Sequence, residues 1–237
     1  MTWSDQHLGG IIFLIAAVAC LAAFDTLTKV VSPAVPVVMA LWFRFTFQVL
    51  ITAGASVPGR GRALLRTRRP FLQGVRGIPL LLSSSLAFLS LRHMPVGEFT
   101  ALVMLTPLAI VLVAATFLGE RVSALGWLFV TGGFVGAIMV IRPGEQAMDW
   151  SVLLPLCLVA SNSAFQLVTS LLTKVDNAAT THFYTGCVGA ALTTFALPLF
   201  WQPFHEGIWW LLVLMAVFST LGHFLLILAY SKAPVTL

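Results

Sequence analysis

Long apolar runs dominate the pattern of hydrophobic and polar positions along this chain of 237 residues. Most runs approach the roughly 20 apolar residues that an α-helix needs to cross the hydrocarbon core of a bilayer. Short polar or proline- and glycine-containing segments separate them, so the pattern predicts eight membrane-spanning helices. These spans, numbered one to eight, cover residues 9–31, 36–57, 71–91, 96–118, 123–141, 150–172, 180–200 and 208–230.

The composition supports this interpretation and excludes an ordinary soluble domain. The chain is 59% hydrophobic and 9% charged, whereas soluble domains are roughly 45–50% apolar and about 25% charged. We therefore expect the lipid bilayer, and not nucleic acid, to be the partner of this surface, although the net charge is +5. Cys20, Cys157 and Cys187 show no metal-ligand spacing, and we expect no metal site and no cofactor.

The distribution of Lys and Arg predicts the orientation in the membrane. The segment between spans two and three holds six basic residues, the last of which interrupts the start of span three: Arg60, Arg62, Arg66, Arg68, Arg69 and Arg76. Short cytoplasmic loops carry an excess of Lys and Arg, so this segment is expected to be cytoplasmic. The resulting topology places nine basic residues inside and three outside. It predicts a multi-pass protein of a bacterial-type inner membrane with a cytoplasmic amino terminus.

The sequence also contains an internal repeat. The stretch 89–96 (LSLRHMPV) resembles 228–235 (LAYSKAPV) at an offset of 139 residues, and Asp25 at the end of AAFD corresponds to Gln166 at the end of SAFQ. The matches indicate a duplicated unit of five spans, and an odd number of spans inverts the second copy in the membrane. We expect the first unit to cover residues 9–143 and the second to cover residues 150–237.

One stretch resembles the EamA-type transporters of the drug/metabolite transporter superfamily. It runs through Thr106-Pro107, the FLGERVS segment at 117–123, the Gly126 and Gly132-Gly133 positions, and VIRPG at 140–144. The resemblance implies a polytopic all-α helix bundle of ten spans in two inverted five-helix repeats, which moves small metabolites across the inner membrane. Since the chain ends at Leu237, about eight of the ten spans are expected. It is either a fragment of a ten-span protein or a divergent eight-span form.

Polar residues deep in corresponding spans are the candidates for substrate binding or coupling, because inverted-repeat carriers bind near the bilayer midplane. Asp25 and Lys29 lie one turn apart in span one, as a local ion pair or as a substrate or proton site. Arg44 in span two is either a structural clamp or a ligand for an anionic group, and Gln48 follows on the same face.

Further candidates lie in the other spans. Asn162 and Gln166 form a polar stripe in span six, with interhelical hydrogen bonding as the alternative role. Trp42, Tyr184 and His223 could line the cavity or simply pack. Pro107, in the middle of span four, predicts a kink that serves as a hinge or is static.

Catalytic motifs such as HExxH, GxSxG or a Walker sequence are not found in this sequence, so we expect no enzymatic activity. A secondary active transporter for an amino acid, a related compound or a drug-like molecule is the main hypothesis, with export preferred. Uptake of a metabolite such as S-adenosylmethionine is the alternative, and a channel or non-transporting helix bundle is the alternative of another class. Proton coupling is a subsidiary hypothesis, and the sequence predicts no oligomeric state.

Overall fold

The computed structural model describes residues 3–117, 124–141 and 150–232. These ranges are helical, with short 3-10 turns at Gly61–Leu65 and Trp150–Val152 and no β-strand among the described residues. The helices are α1 (Trp3–Val31), α2 (Val37–Arg60), α3 (Pro70–His93), α4 (Val96–Val103), α5 (Thr106–Phe117), α6 (Ala124–Ile141), α7 (Leu153–Leu172), α8 (Ala178–Phe200) and α9 (Ile208–Lys232).

The helix bundle has the surface of a membrane protein, as the sequence predicts. In the described part of the chain, seven helical segments are long and apolar enough to cross a membrane, and the fourth of them combines α4 with α5. Large apolar side chains point outward, with Phe195 84% exposed and Phe71 81% exposed. Water would penalise such a surface, whereas lipid tails match it. The remaining predicted span, span five, corresponds to α6, which contains a shorter apolar stretch, Gly126–Gly136.

The helix of the fourth span is interrupted near its middle, at Met104 and Leu105. Helix α4 ends at Val103 with a tightened turn, in which the amide of Leu105 donates to the carbonyl of Leu102 at 3.0 Å. Helix α5 begins at Thr106, so Pro107 is its second residue. Proline has no amide hydrogen to donate, and the first turn of a helix needs none. The helix expected to kink at Pro107 is thus interrupted just before it, over Met104 and Leu105, and the role of Pro107 as a hinge stays a prediction.

Three parts of the sequence argument lie outside the described residues. They are the segment 118–123, which contains most of the family-like FLGERVS stretch, the segment 142–149 and the segment 233–237 with Pro234. The boundaries of the two predicted repeats at residues 143 and 237 fall in these segments and stay predictions.

The packing of the helices is reciprocal. Helix α1 packs chiefly against α9, α2 against α8, and α3 against α7. If spans six, seven and eight correspond to spans one, two and three, exchanging the two halves turns the α1–α9 contact into the α3–α7 contact. The same exchange leaves the α2–α8 contact unchanged. A two-fold axis through the α2–α8 contact produces this pattern. The arrangement is the one expected of two inverted repeats.

Glycines allow the closest helix approaches. A Cβ atom at Gly189 of α8 would lie 2.4 Å from the Phe45 ring of α2, and one at Gly77 of α3 would lie 2.5 Å from Val188. The side chain of Phe45 is fully buried at this contact. Small residues let membrane helices pack closely where the hydrophobic effect does not drive association. The central α2–α8 contact therefore depends on the missing side chain at position 189.

We expect Gly189→Ala to destabilise the protein by about 1–3 kcal/mol, because the added methyl group overpacks the α2–α8 contact. Thermal unfolding of the purified protein in detergent measures the effect. The control is Gly54→Ala in α2, where a Cβ would meet no atom within 4 Å, and a neutral or slightly stabilising effect is expected. Equal unfolding temperatures for Gly189→Ala and the wild type would contradict the close packing described here.

Candidate functional site

Arg44 is the centre of a polar cluster inside the bundle. Its side chain extends from α2 and is only 1% exposed. The Nε atom donates to the hydroxyl of Ser219 on α9, and Nη1 donates to the hydroxyl of Ser84 on α3. Nη2 lies 3.2 Å from Nε2 of His223 on α9. The guanidinium group thus joins α2 to one helix from each predicted repeat.

An acidic residue and two aromatic rings surround the charge of Arg44. Asp25 of α1 is partly buried and lies near enough for its negative charge to act on the guanidinium. The guanidinium carbon also lies 5.1 Å from the centroid of the Phe24 ring and 4.7 Å from that of Phe45. Aromatic faces attract a cation electrostatically. The structure therefore brings together the predicted residues Asp25, Arg44 and His223.

A second group of polar contacts lies one turn further along α2. Gln48 donates to the backbone carbonyl of His182 on α8 at 2.9 Å, and the hydroxyl of Thr52 lies 2.8 Å from Nδ1 of the same histidine. The side-chain oxygen of Gln48 is buried without a hydrogen-bond partner among the described residues. Polar contacts between α2 and α8 thus continue the Arg44 cluster along the bundle.

The sequence analysis missed a second buried arginine. Arg76 was assigned to the basic loop, but it lies within α3 and is fully buried. Its Nε atom donates to the hydroxyl of Thr169 at 2.8 Å, and Nη1 donates to the carbonyl of Thr181 at 3.0 Å. Gln73, Arg76 and Ser84 follow each other at spacings of three and eight residues, which places them on one helix face. That pattern could have identified Arg76 as an interior residue.

This correction changes the charge count for the orientation only slightly. Removing Arg76 from the loops reduces the nine basic residues on the predicted inner side to eight, against three outside. The bias that predicts a cytoplasmic amino terminus persists.

Three predicted residues point away from the Arg44 cluster. The Nζ atom of Lys29 donates to the carbonyl of Met94 at 3.0 Å, not to Asp25 as the local ion-pair alternative expected. The indole of Trp42 donates to the hydroxyl of Thr194 at 2.9 Å, between α2 and α8. The hydroxyl of Tyr184 donates to the carbonyl of Leu65 at 2.9 Å, at the end of the bundle. All three make contacts that hold neighbouring segments together.

The predicted polar stripe on α7 is present. Gln166 accepts a hydrogen bond from the hydroxyl of Tyr230 on α9, and Asn162 lies one turn away, partly buried. The interhelical hydrogen bond matches the structural alternative for Gln166. Within the described ranges, no cluster of three His, Cys, Asp or Glu side chains could hold a metal ion.

A latch between the two halves closes one end of the bundle. Asp176, between α7 and α8, accepts hydrogen bonds from the Thr67 hydroxyl, the Arg68 backbone amide at 2.9 Å and the Gln73 side chain at 2.9 Å. Partial burial alone would raise the pKa of Asp176. These donors and the nearby Arg68 charge outweigh it, so the pKa lies below its ordinary value. The latch borders an open cleft of about 760 Å³.

Comparisons with known proteins agree with this architecture. The profile of the EamA-like transporter family matches residues 8–142. A riboflavin transporter of Brucella anthropi is 26% identical over 93% of this chain and 80% of that protein. The pseudopaline exporter CntI of Pseudomonas aeruginosa is 26% identical over 98% of this chain and 82% of that protein.

Two further similarities concern part of the sequence and the fold, respectively. A riboflavin transporter of Rhizobium johnstonii is 33% identical, but the alignment covers 49% of this chain and 38% of that protein. A crystal structure with 19% identity superposes with a TM-score of 0.73 and covers 99% of this chain and 82% of that chain. The superposition supports the same fold.

We expect Asp176→Asn to lower the stability of the protein at neutral pH by about 1 kcal/mol, because the amide replaces one acceptor oxygen with a donor. Because the pKa of Asp176 is lowered, its contribution to the stability of the folded protein is complete at pH values above its ordinary pKa of 3.8. That contribution disappears as the pH falls through the lowered pKa. Thermal unfolding at several pH values measures the difference between the variant and the wild type.

The two unfolding curves should therefore converge at strongly acidic pH. The control is Glu206→Gln, the equivalent change at an exposed carboxylate in the turn before α9. An Asp176→Asn effect that is absent at neutral pH, or one that persists unchanged in acid, would contradict a charge-dependent latch.

Proposed function

The chain belongs to the EamA-like transporter family, and we propose that it is a secondary active transporter. It moves a small metabolite across the inner membrane by alternating access, with its amino terminus in the cytoplasm. The Arg44 cluster is the observation that carries this proposal. A charge inside a membrane span is costly and marks a substrate or ion pathway more often than a structural element.

The partners of Arg44 favour a carrier over a channel. Ser84 and His223 occupy corresponding positions of the two predicted repeats at the offset of 139 residues, and both contact Arg44. The cluster therefore lies near the axis that relates the halves, where a rocking motion changes the contacts of both. A channel requires a continuous polar pathway, whereas the large buried side chains between α2 and its neighbours include Phe45 and Met39.

The proposed substrate is an amino acid, a related compound or a drug-like molecule, and export is the preferred direction. One similar protein is named a pseudopaline exporter. Uptake is the second candidate, because a similar protein of Rickettsia bellii, 24% identical, is named an S-adenosylmethionine uptake transporter. Asp25 is the proposed site of proton coupling, since it is the acidic member of the cluster. Transport without chemical change of the substrate is part of the proposal.

Flux measurements in proteoliposomes test the proposal. A carrier gives saturable uptake of a labelled metabolite, and an unlabelled pool of the same metabolite on the opposite side accelerates it. Candidate metabolites are riboflavin, amino acids and S-adenosylmethionine, each assayed with and without a pH gradient. Flux that rises linearly with concentration and shows no counterflow would exclude a carrier. A pH gradient without effect on carrier flux would exclude the proton coupling.

We expect Asp25→Asn and Arg44→Gln each to reduce the initial transport rate about tenfold or more, the effect of losing about 1.4 kcal/mol at the site. Asp25→Asn removes the counter-charge of Arg44, and Arg44→Gln removes the group that joins α2, α3 and α9. Proteoliposomes with matched protein content give the rates.

The matched control is Thr26→Ala, the neighbour of Asp25, whose hydroxyl only bonds the carbonyl of Ala22 in its own helix. This variant should transport at the wild-type rate. Membrane insertion of all variants is checked by their yield in the membrane fraction. Wild-type rates in both cluster variants would remove Asp25 and Arg44 from the transport site.

A further inference from the structure

Arg76 has an incomplete set of partners. Its Nε atom binds Thr169, and its Nη1 atom binds the Thr181 carbonyl and the Thr185 hydroxyl. The Nη2 atom is buried and has no hydrogen-bond partner among the described residues. A guanidinium has five N–H donors in a planar fork, and leaving a buried charged donor unpaired is costly. One arm of the fork is therefore open to an acceptor that the described residues do not supply.

The positive charge of Arg76 also lacks a counter-charge. Asp25 acts on Arg44 as its counter-charge, whereas the hydrogen-bond partners of Arg76 in the described ranges are neutral threonines. The guanidinium makes a cation–π contact with Phe165, whose ring centroid lies 4.5 Å from the guanidinium carbon. Buried charges are normally paired, because desolvation of a lone ion costs several kcal/mol. Among the described residues, Arg44 and Arg76 are the buried charged side chains, and an anion at Arg76 would neutralise the charge that no neighbour balances.

The repeat argues against a purely structural need for this arginine. At the offset of 139 residues, Gln73 and Arg76 correspond to Leu212 and Met215. Both of these residues are buried in an apolar cluster that includes Phe43. The fold therefore fills the corresponding position in the other half with an unbranched apolar side chain of similar length. The polar pair is a property of one half and not of the architecture.

Gln73 connects Arg76 to the open cleft. Its side-chain nitrogen donates to Asp176 in the latch at 2.9 Å and to the Thr181 hydroxyl at 3.2 Å. Its side-chain oxygen is buried without a partner in the described part of the chain. Arg66 and Arg68 line the cleft together with Asp176, and their positive charge attracts anions. Opening of the latch would expose Gln73 first and Arg76 one turn deeper.

We propose that Arg76 binds the oxyanion group, a carboxylate or a phosphate, of the transported metabolite. Thr169, Thr181 and Thr185 hold the guanidinium in place, and its free Nη2 donor faces the anion once the hydrogen bonds of the Asp176 latch open. This proposal rests on the transport function and narrows the substrate to anionic or zwitterionic metabolites. The planar fork of arginine suits both oxyanions better than a lysine does.

Thermal unfolding of the purified protein with defined anions tests the site without requiring transport. The probes are succinate and inorganic phosphate, with succinamide as the uncharged analogue of succinate and chloride as the control for ionic strength. We expect succinate or phosphate to raise the unfolding temperature of the wild type by about 2–4 °C at several times the dissociation constant. A response to succinate alone identifies a carboxylate site, and a response to phosphate alone identifies a phosphate site.

Variants at two positions of the same helix assign the effect. Arg76→Gln should lose the anion-induced shift, and Arg76→Lys, which keeps the charge but not the fork, should retain less than half of it. Arg92→Gln, at an exposed arginine of α3, should keep the whole shift. If Arg76→Gln does not fold, the reduction in Arg76→Lys decides the test.

Two results would overturn the proposal: an undiminished shift in the Arg76 variants, or a wild type that responds to neither anion beyond its response to chloride and succinamide. Failure of the transport function has a different signature. In that case the anion-induced shift depends on Arg76, but proteoliposomes show no saturable flux of any anionic metabolite.

Discussion

The cost of holding the Arg44 guanidinium inside the bilayer is the constraint on which the rest of the structure depends. In hydrocarbon, an arginine without partners is expensive, so its donors must be satisfied by the helices around it. Ser84, Ser219 and His223 meet this requirement from α3 and α9, and Asp25 supplies the opposite charge from α1. Three helices, α1, α3 and α9, are thereby tied to a single side chain of α2. The reciprocal packing of the bundle is centred on the same helix.

The two buried arginines differ in how far this requirement is met. Arg44 has hydrogen-bond partners on Nε, Nη1 and Nη2. Within the described ranges, Arg76 has partners on Nε and Nη1 only. Phe165 lies between them, with its ring 4.5 Å from the Arg76 carbon and 6.2 Å from the imidazole of His223. An aromatic ring thus lies between the two centres, which differ in how completely their donors are satisfied by the described residues.

Much of the fold could be predicted from the sequence, because hydropathy reports directly on the length of a membrane helix. The predicted run 208–230 and the observed α9, Ile208–Lys232, differ by two residues at one end. Side-chain partners were harder to predict, because they depend on which helices meet. The i, i+4 spacing allowed Asp25 to pair with Lys29, yet Lys29 reaches the Met94 carbonyl 65 residues away. Arg76 was misassigned for a related reason, since its proximity to five loop arginines hid its position on the polar face of α3.

The two ends of the bundle are closed by different kinds of contact, and this difference bears on how the halves can separate. At one end Asp176 holds Thr67, Arg68 and Gln73 by hydrogen bonds that are partly open to water.

At the other end, the ring of Phe43 packs at 5.1 Å against Trp209 and at 6.2 Å against Phe204. Water can replace the bonds of the first end at little net cost, about 0.5–1.5 kcal/mol for each. Separating the aromatic rings forfeits their packing and exposes apolar surface to any water that enters. The latch is therefore the end at which opening costs less, and it is also the end that leads through Gln73 to Arg76.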